Sequence, residues 1–166
     1  IDAQFSITDL TKKPSKKSPS APFTTSTLQQ EASRKLGFSV SQTMSVAQKL
    51  YESGKITYMR TDSVTLSDDA VQSANHYIQS NFGEEYAKSR RYTTKSKSAQ
   101  EAHEAIRPTV LTQSKIDGER NHQRLYELIW NRTIASQMSE AQLERTTVEI
   151  TNSNNSEPFI AKGEMI

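Results

Sequence analysis

Gln4-Phe5-Ser6-Ile7-Thr8-Asp9-Leu10 near the start of the chain and Thr147-Val148-Glu149-Ile150-Thr151 near its end decide the fold. Both carry the period-two pattern of a β-strand; in the first, Phe5 and Ile7 fall on one face. A turn at Asn152 to Asn155 follows the second, and Phe159 to Ile166 reads as a further strand. Between them lie a linker and a run of helices, so the two ends are expected to share one small sheet. The fold class that results is α+β. A mainly helical domain with a helix-turn-helix-like unit, residues 23–143, is inserted into a small antiparallel β-sheet formed by residues 1–22 and 144–166. A sheet of three strands is marginal by itself, and both ends fall in strand-like sequence, which suggests a piece cut from a longer protein.

The inner segments follow from local signals. Lys13-Pro14 through Pro22 mixes lysine, serine and three prolines and is expected neither to pack nor to continue a strand. Thr24 to Leu36 reads as a helix, capped by Ser26 or a neighbouring Thr, with Gln29 as capping-box partner and Gly37 just past its end. Ser39 or Ser41 opens a second helix, with Met44, Ala47, Leu50 and Tyr51 at helical spacing up to Gly54. Ser67 caps a third, which carries Asp68 and Asp69 in its positive first turn and Val71, Ala74, Tyr77 and Ile78 on one face. A short helix from Ala99 to Ile106 stops at Pro108, and a longer one over Arg120 to Gln137 buries Leu125, Leu128, Ile129, Trp130 and Ile134.

Composition narrows the function classes. In 166 residues there are 33% hydrophobic side chains, no cysteine, 22 serines and 17 threonines, and the mean hydropathy is −0.75. A large dry core is not expected, and disulfides, Cys-ligated zinc and thiol nucleophiles are excluded. The sequence contains no apolar run near 18 residues and opens without the layout of a signal peptide, so neither a membrane span nor export is expected. The net charge of +2 is unevenly spread. Lys12, Lys13, Lys16 and Lys17 lie in an acid-free stretch, as do Lys88, Arg90, Arg91, Lys95 and Lys97. Two basic islands suit a polyanion held by two surfaces; they also suit solvated linkers.

Chemistry has few candidates. His76, His103 and His122 show no metal-ligand spacing, and there is no HExxH, Walker loop or GxGxxG, so no metal site is expected in this chain. What remains is Ile56-Thr57-Tyr58-Met59-Arg60-Thr61-Asp62-Ser63 and Glu101-Ala102-His103-Glu104-Ala105-Ile106-Arg107-Pro108. If the first is extended, Tyr58, Arg60 and Asp62 point one way, Met59 and Thr61 the other. A phenol is a poor nucleophile at neutral pH unless a nearby cation favours the phenolate, which Arg60 could do. Arginine grips phosphate bidentately and histidine can add a proton or hydrogen bond, so Tyr58, Arg60 and His103 make a phosphoryl-transfer group. On spacing alone, a packed aromatic, an Arg60–Asp62 ion pair and a helix-surface histidine account for the same residues.

The strings Pro22-Phe23-Thr24-Thr25-Ser26-Thr27-Leu28-Gln29-Gln30, Lys49 to Ser63 and Gln100 to Pro108 occur in the same order in the bacterial type IA DNA topoisomerase I family, which the chain closely resembles from Phe23 to at least Met138. The resemblance implies that Tyr58 is a nucleophile joining the 5′ phosphate of single-stranded DNA, that Arg60 holds the scissile phosphate and that His103 hydrogen-bonds it. Asp62 would orient Arg60, and Glu104 and Arg107 would fix the His103 helix. Lys55, Lys88, Arg90, Arg91, Lys95 and Lys97 are the expected DNA-binding residues, and single-stranded and negatively supercoiled DNA the expected partners. The resemblance also implies that the strands belong to a β-rich arch domain, that the protein is cytoplasmic at the nucleoid, and that Mg²⁺ is bound by a Toprim domain outside this sequence. The segment alone is therefore expected to be inactive.

Three other readings compete. A noncatalytic helix-turn-helix module explains the basic islands but not the Tyr58 and His103 strings. A tyrosine recombinase also combines Tyr, Arg and His, yet its nucleophile follows an HxxR motif, whereas Tyr58 precedes His103 and the spacing here is HxxxR. A purely structural domain predicts that neither Tyr58 nor Arg60 matters to activity.

Overall fold

The computed structural model describes residues 2–93 and 104–166. Eight elements follow in order: β1 (Phe5–Lys17), α1 (Thr25–Leu36), α2 (Val40–Glu52), α3 (Asp68–Phe82), a 3₁₀ turn (Glu84–Tyr86), α4 (Arg120–Ser136), β2 (Ala141–Asn152) and β3 (Asn155–Met165). They divide into two compact units, Ile1–Ser18 with Glu140–Ile166, and Pro19–Ser139.

The first unit is a three-stranded antiparallel sheet in the order β1-β2-β3. β1 is longer than its sequence suggests. It runs through Pro14 to Lys17, where a loose linker was expected, because it is an edge strand and an edge tolerates a proline that cannot donate to a ladder. Its lysines thus stand on a strand, with Lys12 paired to Glu144 of β2 at 2.9 Å. Ile7 pairs with Ile150 and Leu10 with Val148, with a bulge between Ile7 and Asp9. That extra residue keeps Phe5, Ile7 and Leu10 on a single face although Leu10 sits at an odd offset from Ile7. Phe159 of β3 lies opposite Ile150 on the same face, 6.2 Å from the Phe5 ring, and Phe5, Ile7, Leu10 and Phe159 are each more than half exposed.

The second unit holds the core. Thr24 caps α1 by a reciprocal box with Thr27 rather than through Ser26 and Gln29. The threonine hydroxyl both accepts and donates, so Thr27 fills the role usually taken by Glu or Gln. Gly37 ends α1 at φ 72°, donating to Ser33 O at 3.1 Å while Phe38 N reaches Ala32 O at 3.3 Å. This left-handed closure turns the chain directly into Ser39, the cap of α2. Ser67 caps α3, with Asp68 and Asp69 in its first turn.

α4 presents Leu125, Tyr126, Leu128, Ile129, Trp130 and Ile134 to the interior, where they join Leu28, Ala32, Ala47, Leu50, Ala74 and Ile78 from the other helices. Trp130 meets Tyr77 edge-on at 5.4 Å and donates to Leu111 O at 2.8 Å. The core is not dry. Thr43, Thr133 and Ser136 are buried, and each returns its hydroxyl to a backbone carbonyl three or four residues back.

Residues 86–92 lie along the end of α4. Gln137 exchanges hydrogen bonds with the Arg90 backbone at 2.9 and 3.1 Å, and Ser139 N donates to Tyr86 O at 2.9 Å. The Tyr92 hydroxyl lies 3.2 Å from both Pro19 O and Ser136 O, the segments by which the chain enters and leaves this unit. Burial pushes the Tyr92 phenol up from its ordinary pKa. The helix expected over Ala99 to Ile106 is absent where it can be checked. Glu104 to Arg107 is extended, with Ile106 bridged to Phe23 and Pro108 bridged to Ile56. Pairing with two distant segments overrides the local helical pattern, and the rest of that stretch lies outside the described residues.

Candidate active site on a loop held by two threonines

Residues 56–63 form no regular strand, yet their side chains alternate as the sequence implies. Ile56, Met59, Thr61 and Ser63 are buried, whereas Tyr58 is 39% exposed and Arg60 and Asp62 are exposed. The backbone of this loop is held by hydrogen bonds to two other segments. At one end Thr57 N donates to Arg107 O at 2.9 Å, and the Thr57 hydroxyl accepts from Arg107 N at 2.9 Å while donating to Ala105 O at 2.7 Å. At the other end Thr25, in the first turn of α1, donates its N–H to Thr61 O at 2.9 Å. Its hydroxyl accepts from Thr61 N at 2.9 Å and donates to Met59 O at 2.8 Å. Tyr58 and Arg60 therefore project from a short span fastened on both sides.

Thr25 and Thr57 are the functional neighbours that side-chain chemistry alone did not single out, although both lie within the strings that carry the family resemblance. Thr25→Val conserves shape but leaves the Thr61 N–H and the Met59 carbonyl unpaired. It is expected to cost the chain about 1–3 kcal/mol in urea unfolding, with Thr25→Ser costing far less.

The Tyr58 ring meets Tyr51, at the end of α2, with centroids 5.3 Å apart and planes at 68°. Arg60 and Asp62 are both exposed, and among the described residues no ion pair is found between them.

Glu104 and Arg107 do pair, but not to fix a helix. Arg107 donates Nη2 and Nε to Glu104 Oε2 at 2.6 and 3.1 Å, and Glu104 Oε1 accepts from Ser67 N at 2.6 Å. The carboxylate thus ties the start of α3 to the extended segment that carries Thr57's partners. Burial pushes the Glu104 carboxyl up, but the Ser67 hydrogen bonds and the Arg107 guanidinium outweigh it and hold it below the usual carboxylate range.

Of the expected DNA-binding residues, Arg90 donates to Met138 O and Arg91 pairs with Asp68 at 2.8 Å, so both are engaged within the chain. Lys55 is half-buried and Lys88 is exposed. His103, Lys95 and Lys97 lie outside the described residues. Among the described residues no group of three His, Asp or Glu side chains could hold a metal ion, and no helix is long and apolar enough to cross a membrane.

A loop that presents Tyr and Arg outward, on an α+β scaffold, defines a candidate site for attack on phosphate. The chain belongs to the DNA topoisomerase family, whose model matches residues 1–166. Its relatives there are bacterial proteins named DNA topoisomerase 1. That of Zymomonas mobilis subsp. mobilis is 49% identical over 98% of this chain, and that of Synechocystis sp. is 53% identical over 87%. The structure is similar to that of full-length topoisomerase I from Thermotoga maritima, with a TM-score of 0.79 and 40% identity over 99% of this chain. The chain spans 13% and 17% of the two relatives and 28% of the Thermotoga chain.

Proposed function

We propose that this chain carries the nucleophile of a type IA DNA topoisomerase, and that Tyr58 is that nucleophile. The Tyr58 Oη attacks the phosphorus of a single-strand phosphodiester. An Oη–P bond forms as the P–O3′ bond breaks, the phenol gives up its proton, and the departing 3′ oxygen takes one up. One phosphodiester is exchanged for another, so the break stores its own energy for religation, and passage of a strand through it relaxes negative supercoils. Arg60 holds the scissile phosphate by its planar fork, and His103 adds a hydrogen bond. Mg²⁺ supplies electrostatic stabilisation when bound, in a Toprim domain outside this sequence. In this reading residues 1–22 and 144–166 are strands of an arch domain and residues 23–143 are the tyrosine domain.

The observation that carries the reading is the outward presentation of Tyr58 and Arg60 from a loop fastened at Thr57 and Thr61. In a full-length topoisomerase carrying this sequence, denaturant trapping with labelled single-stranded DNA is expected to give a covalent adduct whose peptide maps to Tyr58. The 166-residue chain by itself is expected to give none. An adduct on another residue overturns the assignment. A noncatalytic DNA-binding module predicts binding without any adduct.

A further inference from the structure

The three-stranded sheet is two-faced, and charge on its polar face is sorted. Pairing places Thr11, Thr147 and Lys162 in one row across β1, β2 and β3, and Lys13, Arg145 and Glu164 in the next. Because side chains alternate across a strand, these six share the face opposite to Phe5, Ile7, Leu10 and Phe159. Two open hollows adjoin there, with Arg145 and Thr147 lining both, Lys13 one and Lys162 the other. Lys13 and Arg145 stand directly opposite each other, a like-charge pairing that costs a sheet stability. Elsewhere the same strands pair opposite charges, Lys12 with Glu144 at 2.9 Å and Arg145 with Glu164 at 2.7 Å. Asp9 and Glu149 also stand opposite each other, two rows further along the polar face. A merely solvated face gains from interleaved charge, whereas here bases gather at one end and acids at the other. Lys13 and Lys162 are both exposed, and among the described residues neither has a carboxylate partner.

We propose that the basic end of this face holds the phosphate backbone of duplex DNA, with Lys13 and Lys162 as point charges, Arg145 on the strand between them and the Thr147 hydroxyl as a donor. This rests on the reading of the chain as part of an enzyme acting on DNA, and is independent of which residue attacks a strand. The contact is to the backbone because no aromatic ring stands among these residues to stack a base: Phe5 and Phe159 belong to the opposite face. A duplex suits the patch because it carries one negative charge for about every 1.7 Å of its axis.

The test uses a full-length topoisomerase carrying this sequence and equilibrium binding of a short labelled DNA duplex over a series of salt concentrations. Lys13→Gln with Lys162→Gln is expected to lower the slope of log affinity against log salt by about 2, roughly one phosphate for each lysine. Arg145 stays in place, so its pair with Glu164 survives. If that double variant lowers the thermal midpoint, Lys162→Gln alone is read in its place, with an expected fall of about 1. Lys12→Gln with Lys16→Gln removes the same charge from the other face and is expected to leave the slope within about 0.5 of wild type. Lys13→Arg with Lys162→Arg keeps the charge and is expected to bind as wild type. An unchanged slope in the Lys13 and Lys162 variant overturns the proposal, as do equal falls on both faces or an arginine variant as weak as the glutamine one. So does a fall seen with a single-stranded oligonucleotide but not the duplex, or with polyglutamate alone, which marks a face for an acidic peptide. Adduct formation on single-stranded DNA is followed alongside: its absence in the wild-type protein defeats the proposed function, whereas a wild-type adduct with an unchanged slope defeats only the sheet face.

Discussion

Tyr58→Phe in a full-length topoisomerase carrying this sequence is expected to bring covalent adduct and supercoil relaxation down to background while single-strand binding stays within a few-fold of wild type. The change removes one oxygen from a side chain that is 39% exposed and lies outside the buried core. The loop's fastening runs through backbone groups of Thr57, Met59 and Thr61 and through the Thr25 hydroxyl, none of which the Tyr58 phenol supplies. Loss of activity without loss of fold is the expected outcome, because a covalent route needs the attacking oxygen. Gel-shift binding beside denaturant trapping checks both halves, and a Tyr58→Phe protein that still relaxes plasmid DNA would sink the mechanism.

Glu31→Ala is expected to produce the largest stability loss at a position remote from Tyr58, about 3 kcal/mol by urea unfolding of the chain. Glu31 is 9% exposed, on the inner side of α1. Its carboxylate accepts from Arg132 of α4 at 2.9 Å and from Arg34 at 2.5 Å, with Lys35 at 3.5 Å. Arg132 also lies over the Phe23 ring, 4.3 Å from its centroid. Removing the carboxylate leaves a largely buried guanidinium without its counter-charge, a change that costs about 3–5 kcal/mol in buried pairs; the mainly exposed Arg34 and Lys35 argue for the lower end.

The pH dependence follows from the same contacts. Burial raises the Glu31 carboxyl, but the Arg34 hydrogen bond and the charges of Lys35, Arg34 and Arg132 prevail and hold it below its ordinary value. A depressed carboxylate contributes stability that is complete above the ordinary carboxylate range and is lost as pH falls through the depressed value. The wild-type chain should therefore lose stability on acidification through that window. Glu31→Ala should lose less over the same range, and equal slopes in urea midpoint against pH would refute the assignment.

Helices were legible in the sequence where caps and spacing agreed. Ser39, Ser67 and Gly37 mark real boundaries, and the apolar stripe of Arg120–Ser136 is buried as its period requires. The alternation over Tyr58 to Ser63 was legible too, though its cause was not. Period two describes which way side chains point; it does not say whether the backbone partners are a sheet or, as here, two threonine hydroxyls and one isolated bridge at Ile56. The strand through Pro14 was misread because its partner, Glu144, is far away in sequence, and local turn chemistry yields to a long-range ladder. The same kind of distant pairing undid the helix proposed to end at Ile106, which is bridged instead to Phe23. The Tyr51–Tyr58 contact depends on the turn geometry at Gly54, which the residue types signal only as a break.

The hydrogen bonds of Tyr92 bear on the order in which the chain assembles. Strand β1 finds β2 across the whole length of the helical segment, Lys17 pairing with Ala141. For a flexible chain, bringing such distant ends together is entropically costly and slow. Once the helices have packed, Tyr92 holds Pro19 and Ser136 to one hydroxyl, and the strands begin only a few residues further on. With those two segments held together, the closure that β1 and β2 require is short rather than long, so a lesion in the helical core is expected to weaken the pairing of the strands even though it touches neither.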